Sequence, residues 1–248
     1  MSNHRGNYGR ITSIALDPIE KKPISRWHQG TTVLSVGSYG CTMDCPFCQN
    51  ASIAQAGEHD VDWWEIQPAE LVERARELRW KRCIGIAYTY NEPLLGWRFV
   101  RDTGILAHNA GLKNVLVSNG LASPYVLGQV APLIDAANID LKCFTEEGYR
   151  SLRGSLAVVK RTIETLVASS TCHVEVTTLV VPGLSDDPVQ IDAAARWLAS
   201  LGPDIPYHLT RYFPRNRMRD VPATDIGLLY KLANVARSHL SDVIIGNV

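Results

Sequence analysis

No long apolar run appears anywhere in this chain, so neither a membrane span nor the core of a secretory leader is expected. Charge of one sign is missing too. Twenty-five basic residues balance 25 acidic ones, which leaves no global field to hold a nucleic acid or an anionic membrane. Linkers rich in Pro, Gly or Ser, low-complexity tracts and long repeats are also absent, so a single domain is the simplest partition of the 248 residues. A cytoplasmic protein with no nucleic-acid and no membrane partner is the expectation. Cysteine is scarce outside one place: Cys83, Cys143 and Cys172 lie far apart and read as buried small hydrophobes.

What is present is a regular alternation. Apolar, β-branched runs at 31–36, 83–90, 114–118, 137–141, 173–181, 206–212 and 242–245 read as strands. Amphipathic stretches at 68–80, 94–110, 124–134, 157–169, 188–201 and 224–240 read as helices, several opening with Pro in the first turn. The spacing is that of successive βα units, hence an α/β fold with parallel strands. Residues 1–30 lack a clear period and read as an N-terminal arm or hairpin before a domain spanning 31–248. Residues 50–66 read as irregular.

The unusual residues fall at strand ends. Cys41, Cys45 and Cys48 follow the first run, Thr89 to Glu92 end the second, Ser118 and Asn119 the third, Asp140 and Lys142 the fourth, and Val181 to Gly183 the fifth. In a parallel barrel such loops share one face, the face where these folds do chemistry. Polar turn formers alone would explain Asn-Gly and Pro-Gly at these places. They do not explain three thiols, a carboxylate and an ammonium.

Three cysteines within eight residues fit few sites. A structural zinc site takes four ligands in two pairs, and no second pair follows. A redox Cys-x-x-Cys pair would account for Cys45 and Cys48 but not for Cys41. Iron–sulfur cubes normally take four thiolates, so three leave one iron open.

The spacing Cys41-x-x-x-Cys45-x-Phe47-Cys48 resembles the signature of radical S-adenosylmethionine enzymes. Within them the chain is most similar to the pyruvate formate-lyase activating group. Asp17-Pro18-Ile19-Glu20-Lys21-Lys22-Pro23, Cys48-Gln49-Asn50, Tyr88 to Pro93 and the ending Ile245-Gly246-Asn247-Val248 resemble its AmmeMemoRadiSam branch. The resemblance implies a partial (β/α)6 TIM-like barrel with a short N-terminal arm. It also implies a [4Fe-4S] cluster on Cys41, Cys45 and Cys48 that cleaves S-adenosylmethionine to methionine and a 5′-deoxyadenosyl radical, which takes hydrogen from a substrate.

By the same resemblance, Thr89, Asn91 and Glu92 would receive the methionine ammonium, Glu92 being acceptor-only when ionised. Ser118 and Asn119 would meet the ribose and carboxylate. Lys142, on one strand face with Asp140, would pair with the carboxylate unless the two form a plain ion pair. Val181 would line the adenine, and Phe47 would shield the cluster. An external flavodoxin or ferredoxin would supply electrons. The substrate is a small molecule or a protein; a glycyl-radical activase and a non-catalytic iron–sulfur or zinc module are the competing readings. His208, Arg211, Tyr212, Arg215, Arg217 and Arg219 cluster after the sixth run, and suit either a carboxylate or phosphate site or a solvated docking edge.

Overall fold

The computed structural model describes residues 7–248. All seven expected strands form: β3 (Thr32–Gly37), β5 (Cys83–Tyr88), β6 (Lys113–Ser118), β7 (Ala136–Asp140), β8 (His173–Val180), β9 (Tyr207–Arg211) and β10 (Val243–Gly246). They lie side by side in chain order, each parallel to its neighbours. The sheet is open, consistent with a partial rather than a closed barrel.

The arm adds what the sequence pattern left unassigned. β1 (Arg10–Ile11) pairs antiparallel with β4 (Trp64–Glu65), and β2 (Ser13–Pro18) runs antiparallel to β3 over its full length, from Ser13 opposite Gly37 to Pro18 opposite Thr32. β2 of the arm and β3 thus form one antiparallel pair. β2 forms one edge of the eight-stranded sheet, β10 the other.

The helices α1 (Ala51–Ala54), α2 (Pro68–Glu77), α3 (Trp97–Asn109), α4 (Pro124–Val130), α5 (Glu146–Ser151), α6 (Leu156–Val167), α7 (Pro188–Leu201) and α8 (Ile226–Ala236) fill the connections. α2, α4 and α7 begin with Pro, where the missing N–H would have no partner anyway. Ser123, Thr145, Asp187 and Asp225 cap α4, α5, α7 and α8 by accepting from amides in the first turn. No helix among the described residues is long and apolar enough to cross a membrane.

Period-2 alternation sorts the strand residues between two apolar clusters. Leu34, Val36, Ile86, Tyr88, Leu116, Ile139 and Val176 pack with the helices. Val33, Ala87, Val115 and Ala136 face the other way, where Ile19 and Ile24 cover them. The arm thus crosses the inner face of the sheet as its floor. Asn138 Nδ2 on β7 donates to Pro23 O, and Glu175 on β8 accepts from the amides of Ser25 and Arg26, each at 2.8 Å.

Gly85 marks the tightest strand approach. A Cβ there would sit 1.9 Å from Lys113 O on β6. Gly85→Ala is expected to cost at least about 3 kcal/mol, since backbone must move to admit the methyl group; a shift in the urea midpoint checks it.

Candidate functional site

The loop after β3 carries the three cysteines, and it is held from several sides. Gly40 adopts φ +85°, a backbone conformation that favours glycine. Asn91, just past β5, accepts from Ser38 N at 2.9 Å and donates to the carbonyls of Tyr39 and Gly40 at 3.0 Å. Gly40 N donates to Ile53 O and Asp44 N to Leu152 O. Met43, Cys45 and Phe47 are buried in the main core, while Cys41 and Cys48 are half-buried against it.

The donor set fits a cluster. All three thiols are free, and the Cys41 sulfur accepts from Met43 N and from Asn119 Nδ2, both at 3.4 Å. Burial pushes all three thiols up, Cys45 to about 11, against the opposing pull of the Lys142 ammonium. Metal binding would displace those protons. Among the described residues no three His, Cys, Asp or Glu side chains surround a single metal ion. A cube asks for a wider spread, with each thiolate on its own iron corner.

The second strand end differs from a simple strand. The expected run to residue 90 stops at Tyr88, because Tyr90 takes φ +75°, a conformation uncommon outside glycine and costly for a bulky side chain. Tertiary contacts hold it there. Tyr90 OH donates to Asp17 Oδ2 at 2.6 Å, Lys22 Nζ donates to the same oxygen at 2.7 Å and lies over the Tyr90 ring, and Asn50 Nδ2 donates to Tyr90 O. The stretch 17–23 is therefore the anchor of this turn. Thr89 is buried, its carbonyl accepting from Asn91 N.

Glu92 lies at the centre, with 2% of its surface exposed. Its Oε1 accepts from Leu94 N (2.9 Å) and Ser118 Oγ (2.8 Å), and its Oε2 from Asn119 N (2.8 Å). Burial nevertheless outweighs these three donors and pushes the carboxyl up to about 6. A carboxylate has about four acceptor positions, so one lone pair stays open.

Other expected ligand contacts are engaged internally. Asn119 Nδ2 points at Cys41 and Thr42 and its Oδ1 accepts from Leu121 N, so the side chain links the third strand end to the cysteine loop. Asp140 and Lys142 form an ion pair at 2.7 Å. Burial works against the Lys142 charge, but Asp140 and the nearby cysteine sulfurs dominate and raise its pKa. Val181 is fully buried; its amide donates to Ser185 Oγ and that of Gly183 to Asp186 Oδ1. The fifth strand end thus offers an apolar wall whose nearby amides are already paired.

The cluster after the sixth strand divides. His208 lies inside the sheet against Glu175, and Arg211 Nε donates to Thr224 O. Arg217 grips Asp44 Oδ1 and, at 3.2 Å, Asp44 O. Composition gave no sign of which arginine would find that carboxylate. Arg215 and Arg219 remain exposed.

A family model described as the Radical SAM superfamily matches residues 35–194, a span holding every candidate residue from Cys41 to Val181. The chain belongs to the radical SAM superfamily. An uncharacterised protein of Methanocaldococcus jannaschii is 35% identical over 243 residues, which cover 97% of this chain and 71% of that one. Among solved structures, a domain of pyruvate-formate lyase-activating enzyme from Bacteroides vulgatus is similar with a TM-score of 0.56 and 18% identity, covering 65% of this chain and 98% of that one. SuiB of Streptococcus suis bound to S-adenosylmethionine is similar with a TM-score of 0.66 and 11% identity, covering 87% and 52%. At such identities these two structures speak for the fold. Radical SAM enzymes use a [4Fe-4S] cluster and S-adenosylmethionine.

Proposed function

We propose that this radical SAM enzyme cleaves S-adenosylmethionine reductively and uses the product to remove hydrogen from a substrate. The observation that carries the reading is the convergence of Cys41, Cys45 and Cys48 with the buried carboxylate of Glu92, joined through Asn119, which contacts both. When bound, the cluster and S-adenosylmethionine supply one-electron cleavage of the sulfonium C–S bond, and the abstracted hydrogen ends in 5′-deoxyadenosine. The electron comes from an external donor such as a flavodoxin or ferredoxin.

The chain's own residues do the rest. The three thiolates would hold three irons and leave the fourth for the cofactor. Glu92, raised by burial and with one lone pair open, is built to accept from a cation, and the methionine ammonium is the cation the cofactor brings. Phe47, Met43 and Tyr39, each less than a tenth exposed, make the buried side of the cysteine loop apolar. Lys142 places positive charge beside Cys45 and Cys48.

Anaerobic reconstitution with iron and sulfide, followed by dithionite and S-adenosylmethionine, is expected to yield 5′-deoxyadenosine by mass spectrometry. A reduced cluster that binds no S-adenosylmethionine would overturn the reading. Glu92→Gln tests the ammonium site. It keeps Oε1 with its two donors and sets an amide nitrogen against Asn119 N–H, a local cost of about 1–3 kcal/mol. Affinity for S-adenosylmethionine is expected to fall about 10- to 100-fold by equilibrium dialysis with iron content unchanged; wild-type affinity would exclude Glu92 from the site.

A further inference from the structure

A cavity of about 620 Å³ opens between the cysteine loop and the loop after β9. Of the three cysteines only Cys48 lines it, so it adjoins the sulfurs without being the space between them. Its polar wall comes from Gln49, Ser52, Gln55, Asn216, Arg215 and Arg219, and no acidic residue lines it. A cavity of this size suits a metabolite-sized ligand.

The walls are fastened to each other. Arg217 N donates to Pro46 O at 3.0 Å, and the Arg217 guanidinium grips Asp44. Asn216 Nδ2 donates to Gln55 Oε1, while Gln55 Nε2 donates to Asp44 Oδ1 and Cys45 O. Tyr212 OH donates to Met218 O, and Asn216 takes φ +50° to make the turn. These contacts occupy Arg217 and the Asp44 carboxylate. Arg215 and Arg219, on either side of Arg217, have no ion pair or side-chain hydrogen bond among the described residues. Gln49 and Ser52 likewise make no side-chain hydrogen bond among them. Two guanidinium groups with no ion pair among the described residues, carried over a polar cavity on a loop tied to the cysteine loop, form a receptor for an anion.

We infer that this cavity binds the anionic group, a carboxylate or a phosphate, of a small-molecule substrate, and so places that substrate beside the Cys48 edge of the cluster loop. This substrate class rests on the proposed radical activity. The binding itself does not, and a concave site favours a small molecule over the surface of an acidic redox protein.

The test uses the full-length, reconstituted protein without S-adenosylmethionine, titrated calorimetrically with orthophosphate and, separately, with malonate. Saturable binding of at least one probe is expected, weakened about tenfold or more in Arg215→Gln/Arg219→Gln. Both positions are exposed, and unchanged circular dichroism and iron content verify the fold of the variant. Arg196→Gln, on α7 away from the cavity, should bind as the wild type does. Preference for orthophosphate assigns a phosphate-bearing substrate, and preference for malonate a carboxylate. Failure of both probes to saturate, or equal affinity in the double variant, overturns the inference. Cleavage of S-adenosylmethionine by the wild type, measured with no anion added, decides the radical reading independently, so either can fall while the other stands.

Discussion

Cys45→Ala is expected to leave a folded chain that assembles no intact cluster and whose cleavage of S-adenosylmethionine falls at least about a thousandfold, the scale on which removing one member of a catalytic set acts. The fold should survive because the sulfur is a small part of the core. Cys45 is 8% exposed and packs with the main cluster. Deleting one buried atom of that size costs about 1 kcal/mol, well within the stability of a domain. Its neighbours also do not depend on it. The loop backbone is held by Asn91, by Ile53 O and by the Arg217–Asp44 contact, none of which involves a thiol. A thermal midpoint within a few degrees of the wild type, with iron content collapsed, is the expected pair of results. Wild-type iron content and deoxyadenosine yield in this variant would remove Cys45 from the ligand set.

The other large effect lies far from the cysteines. Glu175, fully buried on β8, receives Ser25 N, Arg26 N and the ring nitrogens of His173 and His208. Glu175→Ala removes one acceptor group and orphans four partners, a loss of about 3–5 kcal/mol. Urea unfolding should show it, with the floor segment exposed to proteolysis. The carboxylate also has a signature in pH. Burial opposes its charge, but the His173 and His208 side chains and the two amides dominate and lower it from 4.5 to about 2. A depressed carboxylate stabilises the fold fully above its unfolded value and loses that contribution as pH falls toward the folded one. The contribution, about 2 kcal/mol after allowing for solvent screening, should therefore disappear between roughly pH 5 and pH 2. Glu175→Gln should be less stable at neutral pH and show a flatter acid limb. An acid limb of unchanged slope would mean the carboxylate is not ionised in the fold.

Much of this was readable from residue patterns, for physical reasons. Seven β-branched runs became seven parallel strands because strands buried on both faces need continuous apolar sequence. The cysteine spacing needed no geometry at all. Ser13–Pro18 escaped because an edge strand buries little; most of its residues are half-buried and no period emerges. α1, with four residues, and α5, with six, are too short for a helical period to register. Tyr90 looked like strand because an aromatic after Thr89 favours strand. What reverses it is Asp17, 73 positions away. His208 was grouped with the arginines by proximity in sequence, yet alternation along β9 turns it inward to a carboxylate 33 residues earlier. In each case the deciding partner is distant, and composition carries no distances.

The floor of the sheet has a consequence for how the chain is made. Ser25 and Arg26 contact Glu175, about 150 positions on, and the Arg26 guanidinium pairs with Asp242, 216 positions on. The first pairings cannot close until β8 has been made, nor the second until the stretch before β10 has. The arm thus waits for partners about 150 and 216 positions further on, and loops of that length make its docking a slow step. Until the arm docks, Val33, Ala87, Val115 and Ala136 lack the cover of Ile19 and Ile24, and the growing chain carries an apolar inner face.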